Sequence, residues 1–223
     1  YCANNPMKFV DPTGMEFNLS EMTEEEREDY ERRVKSQRES SILFDVLYSI
    51  LEKSKNVYSV SFEENKTDKP KTGEFEQNSK GGSVTFFTES KQLTGPLLSE
   101  ELFHAFQNEN NSSYSKGEFN KEFESKVFSS MVGVETTGCG DYPGMNDFIN
   151  KIYKGVYGKG SSVITPEASR SIYFLNDYNV YANKYAKYNI DNNIGKSHYK
   201  IATTILPFSL QRIIKKAYKQ NGY

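Results

Sequence analysis

Apolar residues recur at helical spacing in the first quarter of the chain. Between residues 42 and 51 they stand three and four positions apart, which predicts a helix with Ser40 or Ser41 as its N-cap. Upstream, Thr23 is followed by three glutamates, a pattern typical of an N-cap and the acidic first turn of a charged helix ending near residue 38. Two consecutive helices are therefore expected before residue 55.

Two shorter stretches show the alternation that is typical of strands. Residues 56–63, NVYSVSFE, place Tyr58, Val60 and Phe62 on one face, and residues 82–88, GSVTFFT, predict a second strand. The polar, lysine-rich residues 64–81 between them predict a loop. We expect both strands in one sheet, with the next helix packed under it.

Helical patterns dominate the rest of the chain. Pro96 suits the first turn of a helix at 97–109. Further helices are predicted at about 117–131, 145–154, 166–188 and 208–219, with glycine-rich breaks at 133–144 and 155–162. The predicted fold class is a mainly helical α+β domain with one small β-sheet.

Composition narrows the classes of protein. The 223 residues are 36% hydrophobic, which suffices for one sizeable core, and the net charge of −2 comes without a basic block that would indicate a nucleic acid partner. Two cysteines, Cys2 and Cys139, are too few for a disulfide scaffold or a cysteine zinc site, and whether they form one bridge is left open. No apolar run approaches the roughly 20 residues of a membrane span.

The first fourteen residues, YCANNPMKFVDPTG, are rich in turn formers. They also resemble the end of the core associated with RHS/YD repeats, which closes on a pattern like N-P-x-x-x-x-D-P-x-G. Asn5, Pro6, Asp11, Pro12 and Gly14 match that pattern at its spacing. The resemblance implies that residues 1–15 are a remnant of the core and linker, packing lightly, and that residues 16–223 are a C-terminal toxin or effector domain.

The same resemblance implies a cellular context. In such proteins the core closes a large β-shell, and the domain that follows is often a toxin. The expected partners are the parent RHS shell, a target protein and a cognate immunity protein. The expected location is secreted or delivered to a cell surface, as part of a larger bacterial protein.

The segment LLSEELFHAFQNE, residues 97–109, carries the strongest candidate chemistry. On a helix Glu100 and His104 are four apart and share a face, and Glu101 lies beside both. Burying two carboxylates without a cation, a proton or solvent is costly. A metal ion, or a solvent-filled cleft, would account for them.

These residues resemble the helix of the zincin metallopeptidases, H-E-x-x-H, in which two histidines bind zinc and the glutamate acts on the metal-bound water. Here Glu100 occupies the first ligand position, Glu101 that of the catalytic glutamate and His104 that of the second ligand. In the gluzincin branch a glutamate about twenty residues further along is the third ligand. Glu124 lies at that spacing, with Glu118 and Glu122 as competitors.

The resemblance implies a zincin-like fold with an active-site helix at about 97–109 and a divalent metal, in the first instance zinc, although the carboxylate of Glu100 shifts the preference toward harder ions. It also implies that an edge strand, expected at 82–88, binds extended substrate.

Other chemistry-bearing residues are weaker candidates. His198 would be a catalytic donor opposite the metal, with a solvated surface histidine beside two lysines as the alternative. Cys139 would need a histidine partner to act as a nucleophile. The tyrosines at helical spacing indicate core and interface positions rather than catalysis: Tyr173, Tyr178, Tyr181, Tyr185 and Tyr188.

The expected function is therefore a metal-dependent peptidase that serves as the toxin domain of an RHS-repeat protein, with Glu101 activating a metal-bound water and a protein or peptide as substrate. The alternatives are a catalytically degenerate zincin-like binding domain and a toxin of another hydrolase class, such as a nuclease.

Overall fold

The computed structural model describes residues 17–64, 72–110, 119–132, 144–154, 164–192 and 206–220, which form eight helices and one sheet. The strands are β1 Phe17–Asn18, β2 Val57–Phe62, β3 Gly73–Asn78 and β4 Gly81–Phe86. The helices are α1 Glu24–Ser40, α2 Ile42–Glu52, α3 Gly95–Asn110, α4 Phe119–Val132, α5 Met145–Tyr153, α6 Pro166–Arg170, α7 Ile172–Asp191 and α8 Phe208–Gln220. The α+β prediction is confirmed at this level.

The sheet is small and mixed, in the order β1-β2-β4-β3. The two predicted strands pair directly and in parallel, with Val60 opposite Val84. Tyr58 and Val60 of β2 and Val84 of β4 are fully buried, so the face of β2 that carries Tyr58 and Val60 is the inner one, and Phe62 on the same face is only partly buried. The prediction that both strands share one sheet is confirmed.

Two predictions about the edge of this sheet are wrong. Residues 73–78, predicted as loop, form β3, which pairs antiparallel with β4. Strand β4, which covers most of the stretch predicted to be the edge, lies inside the sheet, and among the described strands β3 forms the edge next to it and β1 the opposite edge. The sequence GEFEQN does not indicate a strand because Phe75 is its only bulky apolar residue and its last three residues are exposed.

A tight turn joins β3 to β4. The side-chain oxygen of Asn78 accepts hydrogen bonds from the backbone N–H groups of Lys80 (2.8 Å) and Gly81 (3.0 Å). Gly81 has φ +149°, a conformation that other residues rarely adopt, and a Cβ there would meet the Val57 carbonyl. Asn78 and Gly81 therefore fix the register of the edge strand.

Capping residues define the first two helices as predicted. Thr23 accepts a hydrogen bond from the Glu26 backbone while the Glu26 carboxylate accepts one from the Thr23 backbone, a capping box. Ser41 caps α2. The single helix predicted at 166–188 is in fact two, because Ser171 leaves the helical conformation and caps α7 through Phe174 N–H.

The core positions helix α3 between the sheet and the remaining helices. Its residues Leu98, Leu102, Phe103 and Phe106 are fully buried, and the predicted packing of this helix against the sheet is observed at β3 and β4. Beyond α4, an aromatic cluster ties α4, α5 and α7 together: Phe123, Phe148, Phe174, Tyr178 and Tyr181. Tyr178 and Tyr181 are thus core residues, whereas Tyr173 is 76% exposed.

Several predictions fall outside the described residues: the N-terminal remnant with its RHS motif, Cys2, Cys139, His198, Glu118 and most of both glycine-rich breaks. The division into residues 1–15 and 16–223 stays a prediction. Within the described parts of the chain, no helix combines the length and the apolar character that crossing a membrane would require.

Candidate metal centre

Helices α3 and α4 run antiparallel, and their polar side chains face each other in two pairs. Glu100 of α3 faces Lys126 of α4, and one turn further along α3 His104 faces Glu122. Both helices repeat these positions at a spacing of four, so all four side chains lie on the faces that meet. Phe103 and Phe128, whose rings stack with centroids 4.4 Å apart, hold the two helices together beside them.

Three of these side chains form a group that could hold a metal ion. One ligand atom each from Glu100, His104 and Glu122 lie within 4.8 Å of one another. Glu100 and His104 are each 13% exposed and Glu122 is 39% exposed, so the group opens to solvent on the α4 side. Glu122 stands in this group where the sequence analysis expected Glu124.

Glu124 has a different place, which corrects its prediction as the third metal ligand. Its side chain is fully buried, and its two oxygens accept hydrogen bonds from the Leu210 backbone N–H and from the Gln107 side chain, both 2.8 Å long. Leu210 lies in the first turn of α8, where backbone N–H groups have no partner within the helix. The negative charge of Glu124 is therefore matched to a helix N-terminus.

The Glu124 carboxylate also orients His104, through the side chain of Gln107. Because Gln107 donates its amide N–H to Glu124, its amide oxygen faces His104 Nδ1 at 2.9 Å. An amide oxygen only accepts, so Nδ1 carries the proton. The Nε2 atom of neutral His104 then presents a lone pair, as a metal-ligating histidine does.

That lone pair faces a carboxylate. The distance from His104 Nε2 to the nearest oxygen of Glu122 is 3.8 Å. Two electron-rich atoms oriented in this way repel each other unless a cation or a proton lies between them. The arrangement therefore suits either a protonated histidine in an ion pair or a bound metal ion.

The donor set fits a divalent ion. Zinc bonds of about 2.0–2.2 Å place tetrahedral ligand atoms roughly 3.4 Å apart, so ligand atoms that lie up to 4.8 Å apart would have to approach by up to about 1.4 Å. One imidazole and two carboxylates are ligands that zinc, manganese and iron all accept.

Glu101 lies next to this group and faces the sheet edge. It is 5% exposed, and its carboxyl occupies the space beside Gly73 of β3, where a Cβ atom would come within 2.7 Å of an oxygen. Burial, and then the charges of Glu100 and Glu122, raise the pKa of Glu101 well above its usual range, and Lys126 offsets this only in part. Without a nearby metal ion, Glu101 therefore retains a proton to higher pH than an exposed glutamate.

Exchanging Gly73 for alanine should destabilise the protein by about 1 kcal/mol, because the new methyl group meets a carboxyl that has little room to move. The cost should vanish when Glu101 is also replaced by alanine. Urea unfolding of the two single variants and the double variant measures this coupling. A Gly73→Ala cost that persists in the double variant would show that something other than Glu101 fills the space.

Lys126 is the cation of the site. Its ammonium lies 2.7 and 2.8 Å from the two oxygens of Glu100. Although burial by itself lowers the pKa of Lys126, the charge of Glu100 and, more weakly, that of Glu122 outweigh it, and the net shift is upward. Lys126 therefore stays charged and neutralises Glu100 while no other cation is present.

Sequence reasoning missed Lys126, Gln107 and the role of Glu124. Lys126 could have been found from its spacing, four residues after Glu122 on the same helix. Gln107 carries no such signal, since a glutamine three residues after a histidine is ordinary on any helix. Tyr185 of α7 also borders the site: burial raises its pKa to about 12, with Lys126 lowering it and Glu122 raising it.

A cavity of about 670 Å³ lies elsewhere on the surface, where the C-terminal ends of α2 and α3 meet α8. Three lysines and Glu109 are among its lining residues, and none of the candidate metal ligands is. The carbonyl groups at two helix C-termini oppose the binding of an anion there. The cavity and the candidate metal centre are separate features.

Comparisons with known proteins give no relationship: no family model, no curated protein and no solved structure matches the chain. The function has to be inferred from the site itself.

Proposed function

We propose that the protein is a metal-dependent peptidase with a zincin-like active site, in which Glu100, His104 and Glu122 bind the metal and Glu101 is the general base. The observation that supports this most is the convergence of an oriented histidine and two carboxylates on one point. A further buried glutamate follows directly after the first of them in the sequence.

When bound, the ion would supply Lewis acidity, polarising the carbonyl of the scissile peptide and lowering the pKa of water. The chain's own residues would do the rest. Gln107 holds the His104 ring with Nε2 toward the ion, and the buried Glu124 holds Gln107. Glu101 would accept the proton of the attacking water and later pass it to the leaving amine.

The protonation of Glu101 makes this role depend on the metal. Its pKa is raised by burial and by two neighbouring carboxylates, and a base must be unprotonated to work. A divalent cation among those carboxylates would cancel their effect and lower the pKa of Glu101. Burial, the largest cause of the raised pKa, would remain, and Glu101 would be more readily deprotonated in the metal-loaded protein than in the metal-free one.

The position of β3 supports a peptide as substrate. It is an edge strand of the sheet, and Glu101 packs against its first residue, Gly73. The free side of an edge strand can pair with an extended peptide through backbone hydrogen bonds. A peptide bound along β3 would pass the candidate base.

The biological setting remains the one that the RHS-like motif implies. We propose that the domain is a toxin or effector delivered outside the producing cell by a parent RHS shell, that it cleaves a target protein, and that an immunity protein protects the producer. His198, as a second catalytic donor, is part of the same proposal.

A second candidate is a zincin-like binding domain without turnover. One observation favours it: Lys126 already neutralises Glu100, so this carboxylate is compensated without a metal. In that case the four charges would simply join α3 to α4. The two candidates differ in whether metal binds stoichiometrically.

Metal titration tests the proposal. Protein freed of metal by dialysis against a chelator should bind one Zn²⁺ per chain in calorimetry, and His104→Ala and Glu122→Ala should each weaken binding at least about tenfold. Glu28→Ala, an exposed glutamate of α1, is the matched control. Casein, with plasmid DNA and total RNA as comparison substrates, tests for chelator-sensitive cleavage. Stoichiometric zinc without any cleavage would favour the binding domain, and cleavage of nucleic acid alone would favour a nuclease.

A further inference from the structure

We infer that Lys126 is an internal counter-cation that competes with the metal ion for Glu100, and that it thereby sets the metal concentration at which the site fills. This rests on the proposed function, since it concerns the same ligands. It adds a regulatory element on α4 to a site whose ligands come from α3 and α4.

The contact between Lys126 and Glu100 engages the whole carboxylate. The ammonium lies within hydrogen-bond distance of both oxygens, at 2.7 and 2.8 Å. A metal ion bound to Glu100, His104 and Glu122 would therefore use a carboxylate oxygen that the ammonium already contacts. A divalent ion beside the lysine would also repel it.

The lysine stands one helical turn from the third candidate ligand, Glu122, on the same face of α4. Glu100 is thus placed between two possible cations, the ammonium on one side and a metal ion on the other. Either of them compensates its charge, which explains how a half-buried carboxylate can be tolerated with or without metal. In the metal-free protein Glu100 is therefore already paired with a cation, which a metal ion has to displace or share.

The competition can be measured on the full chain by zinc calorimetry and thermal unfolding. Lys126→Met keeps most of the side-chain length but removes the charge, and we expect it to bind Zn²⁺ about tenfold more tightly than the original protein. Its melting temperature without metal should fall, and zinc should raise it by more than in the original protein. Lys126→Arg keeps the charge and should bind zinc no more tightly than the original.

Lys187→Met is the matched control, because it removes the same charge from an exposed position on α7. It should leave zinc affinity unchanged. If Lys187→Met tightens binding as much as Lys126→Met does, the effect is one of net charge and the inference fails.

The remaining outcomes separate this inference from the proposed function. Equal or weaker zinc binding by Lys126→Met, with the original protein binding one zinc, overturns the inference alone. If neither protein binds zinc, the proposed function and the inference fail together. Lys126→Met could also be unfolded without metal. The inference is then supported if zinc refolds this variant at a concentration below the one that fills the site of the original protein. It is overturned if the variant does not refold at any zinc concentration.

Discussion

A Glu124→Ala variant should lose about 3 kcal/mol of unfolding free energy, whereas Glu122→Ala should lose less than about 1 kcal/mol. The two glutamates are two residues apart on α4, but Glu124 is fully buried and accepts hydrogen bonds from Leu210 and Gln107. Its removal leaves the buried Leu210 N–H without this acceptor and removes one of two hydrogen bonds donated by the Gln107 amide, which also donates to the Lys121 carbonyl at 3.2 Å. Glu122 is 39% exposed, and little depends on it for stability.

For zinc affinity, the order of the two variants should be the reverse of their order in stability. Zinc binding should be lost in Glu122→Ala, which removes a ligand. It should only weaken in Glu124→Ala, which removes one of the two acceptors of the Gln107 amide and so loosens the orientation of His104. Urea unfolding of metal-free protein and zinc calorimetry together make the comparison. A Glu124→Ala protein of unchanged stability that no longer binds zinc would instead identify Glu124 as a direct ligand.

Glu101→Gln should abolish peptide cleavage, by a factor of about 10²–10⁴, while making the metal-free protein more stable at neutral pH. Removing the base accounts for the first effect. The second follows from the raised pKa of Glu101, since glutamine fills the same space without a charge to bury. The gain should be on the order of 1–3 kcal/mol.

The pH dependence gives a separate test of the same residue. An exposed glutamate has a pKa near 4.5, and the folded protein holds the Glu101 proton to higher pH. The folded state therefore binds more protons than the unfolded chain, so the unfolding free energy of the metal-free protein should fall as pH rises from about 4.5 toward the raised pKa. Glu101→Gln should remove this contribution to the slope. Parallel profiles for both proteins would mean that Glu101 is not the group responsible.

Local signals in the sequence were sufficient for much of the fold. Thr23 and Ser41 are capping residues whose hydrogen bonds reach only three positions ahead, so the starts of α1 and α2 could be predicted. The alternation in β2 divided its side chains into two faces, and the structure shows that Tyr58 and Val60 are on the buried one. The edge strand could not be predicted in this way, because β3 is held by its pairing with β4 and has only Phe75 to mark it.

In the candidate site, too, the contacts within one helix could be predicted from the sequence and the contacts between helices could not. Glu100 and His104 meet because both lie on one helix, which sequence spacing predicts. The choice between Glu122 and Glu124 depends on how α4 is rotated against α3, which is a property of tertiary packing. Spacing along the chain favoured Glu124, but its carboxylate accepts a hydrogen bond from Leu210 of α8, 86 residues away, a contact that local sequence does not reveal.

That distance has a consequence for how the protein folds. The hydrogen bond from Leu210 to Glu124 closes a loop of 86 residues, and contacts of such long range form late because chain entropy opposes them. Until α8 docks, Glu124 lacks one of its donors, Gln107 is less firmly held, and the ring of His104 is free to turn. We therefore expect the site to mature only when the fold is complete, so that partly folded chains would not yet bind metal in the proposed geometry. Pulsed hydrogen exchange during refolding, followed at α8 and at His104, would reveal that order.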